Sequence, residues 1–150
     1  MPSSYTSNGG IEKIATGEQS GTWGSTTNNN FDIIDRITNG VGTINLSASG
    51  ASHTLSTSDG TLSDGQYKVL ILSGATETCT ITISPNDAQK VYFVVNSSSY
   101  NCIFSQGSGA NVTVASGATS ILYCDGAGAL SFTTSSDRGF TVAMSIVFGA

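Results

Sequence analysis

Short runs of alternating apolar and polar residues follow one another after Gly40, and they restrict the fold of this chain more than any other feature. Alternation with a period of two residues places the apolar side chains on one face of a β-strand, because successive residues of a strand point to opposite sides. Gly, Asp, Asn or Pro interrupts the runs at spacings of about 8–12 residues, which is typical of sandwiches and barrels. The sequence therefore predicts a mainly β fold after Gly40.

The clearest of these runs is Thr78–Ser84. Cys79, Ile81 and Ile83 share one face of it, and three threonines share the other. A strand with one apolar and one polar face is typical of an antiparallel sheet that covers a core on one side only. This run therefore predicts an antiparallel strand.

Two other runs, Val69–Leu72 and Val91–Val95, are apolar on both faces. They indicate central strands, or strands whose second face is covered by a neighbour. The full set of predicted strands is 42–47, 52–56, 67–73, 78–84, 90–96, 101–105, 111–115, 120–124, 130–133 and 140–148. Together they predict an antiparallel β-sandwich or jelly-roll-like knob that spans residues 41–150.

Residues 1–40 differ from the rest. The first 24 are polar and rich in Gly, Ser and Thr, which predicts an extended arm that is ordered by contact. A short helix is expected over Asn28–Thr38, with Thr26 or Thr27 as N-cap, acidic residues in its first turns and Gly40 as a left-handed stop. The sequence thus predicts two parts: an N-terminal arm with one short helix at 1–40, for attachment or assembly, and the β domain at 41–150.

The predicted helix carries an apolar stripe. Phe31, Ile34 and Ile37 recur at helical spacing. Trp23, the only tryptophan, precedes them in a Gly-rich turn; it either inserts into a partner or packs against Phe31 and Ile34 of its own helix. One short amphipathic helix cannot form a domain alone, so we expect it to dock onto another surface.

The segment Gly21–Asp35, GTWGSTTNNNFDIID, resembles a motif that is common near the N-terminus of tail-fibre and related virion proteins of tailed bacteriophages. The resemblance covers Gly17–Gly40. It implies a virion structural protein that is a homo-oligomer, a trimer being the common state, and that binds other phage virion proteins. The residues that would mediate partner binding and assembly are Trp23, Gly24, Asn28, Asn30, Phe31, Asp32, Ile34 and Asp35.

Composition narrows the function classes. The chain has five basic and ten acidic residues and a formal net charge of −5, which disfavours nucleic acid as a partner because phosphate binding needs clustered Lys and Arg. The apolar runs are too short for a transmembrane helix, and no signal peptide is visible. These features predict a protein that is made in the cytosol, and the resemblance implies that it is assembled in the host cytoplasm and located in the virion.

No catalytic motif is visible in the sequence. His53 is the only histidine, and Asp32 and Asp35 are three residues apart on the predicted helix, where a solvated polar face is the expected role. We therefore expect no enzyme activity, no metal and no cofactor. Cys79, Cys102 and Cys124 lie in strand-like runs without metal-binding spacing, which predicts buried thiols, with a single disulfide as the alternative.

The function predicted from the sequence is that of a short tail-fibre-like or knob appendage, attached to the particle through residues 1–40, whose knob contacts a host-surface glycan. Two alternatives stay open: a capsid decoration or cement protein, and a free lectin-like carbohydrate-binding module. A glycan depolymerase would instead need two carboxylates about 5–9.5 Å apart in a cleft.

Overall fold

The computed structural model describes residues 2–132, which form one helix, one short 3-10 helix and eleven strands. The helix α1 spans Trp23–Asn39, and the 3-10 helix spans Asp64–Gln66. The strands are β1 (Ser4–Tyr5), β2 (Glu12–Lys13), β3 (Val41–Asn45), β4 (Ser52–Ser56), β5 (Val69–Ser73), β6 (Cys79–Ser84), β7 (Gln89–Asn96), β8 (Cys102–Ser105), β9 (Val112–Val114), β10 (Thr119–Asp125) and β11 (Ala129–Ser131). The prediction of a mainly β fold is confirmed. The predicted strand 140–148 lies outside the described residues, as does the last residue of 130–133.

Most strands belong to one of two sheets. The five-stranded sheet has the order β11-β10-β7-β5-β3, and the four-stranded sheet has the order β4-β6-β8-β9. From β3 to β8 the chain passes alternately from one sheet to the other, so that it completes three turns of a coil. Strands β9, β10 and β11 then close one end of both sheets with antiparallel pairs.

The prediction that Thr78–Ser84 is an antiparallel strand is wrong. This segment, β6, pairs in parallel with β4 and with β8, and β3, β5 and β7 also pair in parallel. Coiling in one direction brings each strand beside a strand of the previous turn that runs the same way. The prediction of which face of this strand is buried is confirmed, because Cys79, Ile81 and Ile83 are fully buried.

The hydrophobic core lies between the two sheets. Its largest members include Tyr92 and Phe104, and leucines and isoleucines from both sheets surround them. Three amide side chains, Gln66, Asn96 and Gln106, are also buried, and each is hydrogen-bonded to backbone groups of loops. They satisfy loop carbonyls that the core would otherwise leave without a partner.

Helix α1 begins five residues before its predicted start. Its N-cap is Thr22, so the prediction of Thr26 or Thr27 as the cap is wrong, and no acidic residue lies in the first turn. The segment Gly24–Asn30 is helical despite its low intrinsic propensity, because its inner face is held by hydrogen bonds to neighbouring loops.

The helix ends at Asn39, but Gly40 does not adopt the predicted left-handed conformation. Its φ is −63° and its ψ is 132°, because the chain passes directly into β3 at Val41. A glycine is still required there, since a Cβ on Gly40 would lie 2.4 Å from the carbonyl oxygen of Arg36.

Candidate assembly site

Strands β1 and β2 pair antiparallel and form an N-terminal hairpin, and polar contacts at its tip, residues 8–10, hold it against the two-sheet body. The Gly9 carbonyl accepts from Nε2 of Gln66 at 2.9 Å, and the Gly10 carbonyl accepts from Gly60 N at 2.6 Å. Asn8 Oδ1 accepts from Gln89 N at 2.9 Å. These contacts fix where residues 2–22 lie on the body.

One face of α1 packs against this hairpin and the loop that precedes β5. Ile33 is fully buried, and half-buried Ile37 lies beside Gly9, where an added Cβ would be 2.8 Å from Ile37 Cδ1. Asn29 Nδ2 donates to the Gly60 carbonyl at 2.7 Å. The guanidinium of Arg36 lies 4.4 Å from the centre of the Tyr67 ring. The helix is therefore held against the body over residues 29–37.

A second face of α1 exposes apolar side chains. Trp23 is 62% exposed, Phe31 is 61% exposed and Ile34 is 43% exposed. At 100° per residue these three positions fall within one sector of the helix, beside the buried face. We call these three residues the helix stripe. Aromatic side chains of this size dominate the energetics of protein interfaces, so the helix stripe is the candidate docking surface of this chain.

The structure separates the other predicted site residues into two groups. Asn28, Asp32 and Asp35 are exposed and follow one another at helical spacing, so they form a polar border beside the helix stripe. Gly24 is half-buried, and a Cβ built on it would meet no heavy atom within 4 Å. Asn30 instead bonds to the backbone of Glu12 with both ends of its amide.

Sequence reasoning assigned Ile37 to the same stripe as Phe31 and Ile34, and it did not single out Ile33. The structure places Ile33 at the centre of the buried face. The run Phe31–Ile37 has apolar residues at more than one helical spacing, so the position of the hairpin decides which of them are buried.

A cavity of about 450 Å³ lies between the hairpin tip, residues 65–68 before β5 and the first residues of β7. Its polar lining includes Asn8, Gln66, Gln89 and Lys90. Burial lowers the pKa of Lys90 to about 8, and its ammonium donates to Thr57 Oγ1 and, at 2.7 Å, to the Gly65 carbonyl. These bonds tie the sheet to the loops around it.

His53 is half-buried on β4, and its Nδ1 lies 3.1 Å from Ser49 Oγ. Its Nε2 is buried and has no hydrogen-bond partner in the described chain. Nucleophilic catalysis by a Ser–His pair uses a third group that orients the imidazole. No carboxylate is bonded to His53 among residues 2–132.

Within the same range, no three His, Cys, Asp or Glu side chains lie close enough together to hold a metal ion. The helix α1 is also neither long nor apolar enough to cross a membrane, and it is the one α-helix of the part of the chain described. Cys79, Cys102 and Cys124 are buried and free, as predicted. No protein family, curated protein or solved structure matches this chain.

Proposed function

We propose that this chain is a structural protein of a tailed-bacteriophage virion, a short fibre-like or knob appendage that is attached to the particle through its N-terminal part. The observation that carries the proposal is the helix stripe: Trp23, Phe31 and Ile34 are exposed on a helix that is fixed to the body. The same three residues belong to the segment that resembles the N-terminal motif of phage fibre proteins.

The physics of docking supports this role for the helix stripe. A fixed helix loses little conformational entropy on binding, so the burial of two aromatic rings and an isoleucine contributes to affinity. Asn28, Asp32 and Asp35 would lie at the polar rim of that interface, as interface anatomy requires. The other virion proteins would supply an apolar groove for the rings.

In this proposal the two-sheet body, residues 41–132 in the described structure, is the knob. The proposed protein is a homotrimer that is assembled in the host cytoplasm, where its three buried thiols stay reduced. It binds no nucleic acid and catalyses no reaction. A capsid decoration protein would use the same helix stripe to bind the head shell. The appendage and the decoration protein therefore differ in their location on the particle but attach to it in the same way.

A carbohydrate-binding role has one observation in its favour. The 450 Å³ cavity is lined by the amide side chains of Asn8 and Gln89 and by Tyr67, which are groups that hydrogen-bond and stack on sugars. A glycan that binds there would protect Tyr67 and shift the amide resonances of Asn8 and Gln89. If the purified protein binds a glycan in this cavity, the proposed appendage would also contact the host-surface glycan.

The test is incorporation into particles. We expect the triple variant Trp23→Ser, Phe31→Ser, Ile34→Ser to fold, because all three side chains are exposed, and to be missing from purified particles of the phage that encodes it. The control is Leu62→Ser with Tyr100→Ser, which removes two side chains of 38% and 44% exposure outside α1. Wild-type incorporation of the triple variant, or absence of the wild-type chain from particles, would contradict the proposal.

A further inference from the structure

The outer faces of the two sheets have opposite chemistry. The outer face of the four-stranded sheet is almost wholly hydroxyl-bearing. Its side chains lie in register across the strands and are Ser52, Thr54, Ser56, Thr80, Thr82, Ser84, Ile103, Ser105 and Thr113. Hydroxyl groups form hydrogen bonds with water, so this face is stable when it is exposed to solvent.

The outer face of the five-stranded sheet is apolar except for Thr43 and for polar residues at the strand ends, which are Asn45, Ser73, Gln89, Thr119 and Asp125. One row crosses four strands as Val41, Val69, Phe93 and Ile121, each the register partner of the next. Val41 is 59% exposed, and Phe93 and Ile121 are each 42% exposed. The other apolar side chains of this face are Ile71, Val91, Val95, Tyr123 and Leu130. We call this surface the apolar sheet face.

Its size and its charge both suit a protein interface. Five strands about 4.8 Å apart and about five residues long cover about 400 Å², which is comparable to the largest apolar patch of an ordinary monomer, a patch that is often functional. Lys68, whose ammonium lies 6.0 Å from the Phe93 ring, and Asp125 at the end of β10 border the face with one charge of each sign. The chain as a whole carries a net charge of −5, so two copies repel each other least where they meet through this neutral surface.

We propose that the apolar sheet face is the contact between copies of this chain, so that the faces of neighbouring copies meet around the symmetry axis of the homo-oligomer. The Val, Ile and Phe side chains of each face would then be buried against those of the neighbouring copies. The inference rests on the homo-oligomer of the proposed function and assigns it a surface. The helix stripe stays free for the virion.

The first experiment measures mass in solution. Native mass spectrometry and light scattering are expected to give the wild-type chain a multiple of 15.3 kDa. The variant Phe93→Glu with Ile121→Glu buries two charges in the contact and should weaken association by about a thousandfold. The matched control, Thr54→Glu with Thr113→Glu, places the same charges on the hydroxyl face and should keep the wild-type mass.

A second measurement covers the case in which the glutamate variant fails to fold. The single variants Ile121→Cys and Thr54→Cys are treated with a thiol reagent over a range of protein concentrations. The three native thiols are buried, so the introduced cysteine is the one that is expected to react. We expect Cys at 121 to react about tenfold more slowly than Cys at 54, and dilution to remove the difference.

The outcomes separate the two proposals. A 15.3 kDa wild-type protein at high concentration, a folded glutamate variant of unchanged mass, or slow labelling at position 121 that does not depend on concentration would overturn the second-copy contact. The last result would show that the same chain covers the face. Loss of the helix-stripe variant from particles, together with a folded glutamate variant of unchanged mass, would support the virion role and overturn the second-copy contact.

Discussion

Asn30 on α1 bonds to Glu12 on β2 at two points. Its Oδ1 accepts from Glu12 N at 2.9 Å, and its Nδ2 donates to the Glu12 carbonyl at 2.8 Å. The amide thereby pairs with the edge of the hairpin as a neighbouring strand would. This pair joins the helix that carries the helix stripe to the N-terminal hairpin.

Replacing Asn30 by Ala should therefore loosen the hairpin. The change leaves a half-buried N–H and a carbonyl of Glu12 without their partner, at a cost of about 1–3 kcal/mol in the free energy of unfolding. Urea unfolding measures the loss, and amide exchange of Glu12 should accelerate. The control is Asn28→Ala on the exposed face, which should change stability by less than about 0.5 kcal/mol. Equal effects of the two variants would contradict this role of Asn30.

Asn96 is the buried amide with the most hydrogen bonds in the structure. Its Nδ2 donates to the carbonyls of Tyr100, Val114 and Ala115 at 2.8–3.1 Å, and its Oδ1 accepts from N and Oγ of Ser98. Asn96→Leu keeps the volume but leaves several loop groups buried and unpaired, so we expect a loss of about 3 kcal/mol or more. Thermal unfolding of this variant beside exposed Asn111→Leu measures the difference; similar midpoints would refute the assignment.

The three cysteines should be unreactive in the folded protein. Burial raises the pKa of Cys79 and of Cys102, and it raises the pKa of Cys124 to about 11. At pH 8 each thiol is then protonated as well as buried, and the thiolate is the form that reacts. A thiol reagent should modify no cysteine of the native protein and all three in denaturant. Fast labelling of any of them under native conditions would contradict the structure.

Lys90 should make stability depend on pH. Burial lowers its pKa from 10.5 to about 8 in the folded state, so between these values the unfolded chain binds more protons than the folded chain. Stability contributed by this group therefore rises with pH across that window, by at most about 1.4 kcal/mol per pH unit. The buried thiols, whose pKa values are raised from 9.0, contribute a slope of the opposite sign at the upper end of this range. Denaturant titrations from pH 7 to 10.5 should therefore show a stability difference between the wild type and Lys90→Met that grows with pH, and a difference between the wild type and exposed Lys13→Met that stays constant. An unchanged slope in Lys90→Met would contradict the burial of this ammonium.

The sequence predicted where most strands lie. Nine predicted strands agree with β3–β11 to within a few residues, because alternation fixes which side chains face the core. It did not predict strand direction, since Cys79, Ile81 and Ile83 would alternate in the same way beside a parallel or an antiparallel neighbour. The coil also has turns of unequal length, so no sequence repeat marks it.

The candidate surfaces were predicted less completely. Phe31 and Ile34 were recognisable from helical spacing and Trp23 as the only tryptophan, but their exposure depends on where the hairpin tip at Gly9 lies against the helix, and Gly9 is distant in sequence. For Val69–Leu72 and Val91–Val95, apolar residues on both faces indicated central strands or a covered second face, and the structure places both runs in central strands of the five-stranded sheet. The strand register decides which outer side chains share a row, as it does for Val69 and Phe93. The register cannot be predicted from a single sequence.

The most direct test of the account is a reconstruction of purified phage particles that contain this chain, with the wild type and the helix-stripe variant prepared in parallel. The account predicts wild-type density outside the particle wall with three copies around an axis, their α1 helices against another virion protein and their apolar sheet faces against each other. It also predicts that this density is lost in the variant. Particles that lack the chain, or that hold it with Trp23, Phe31 and Ile34 facing solvent, would contradict the central claim.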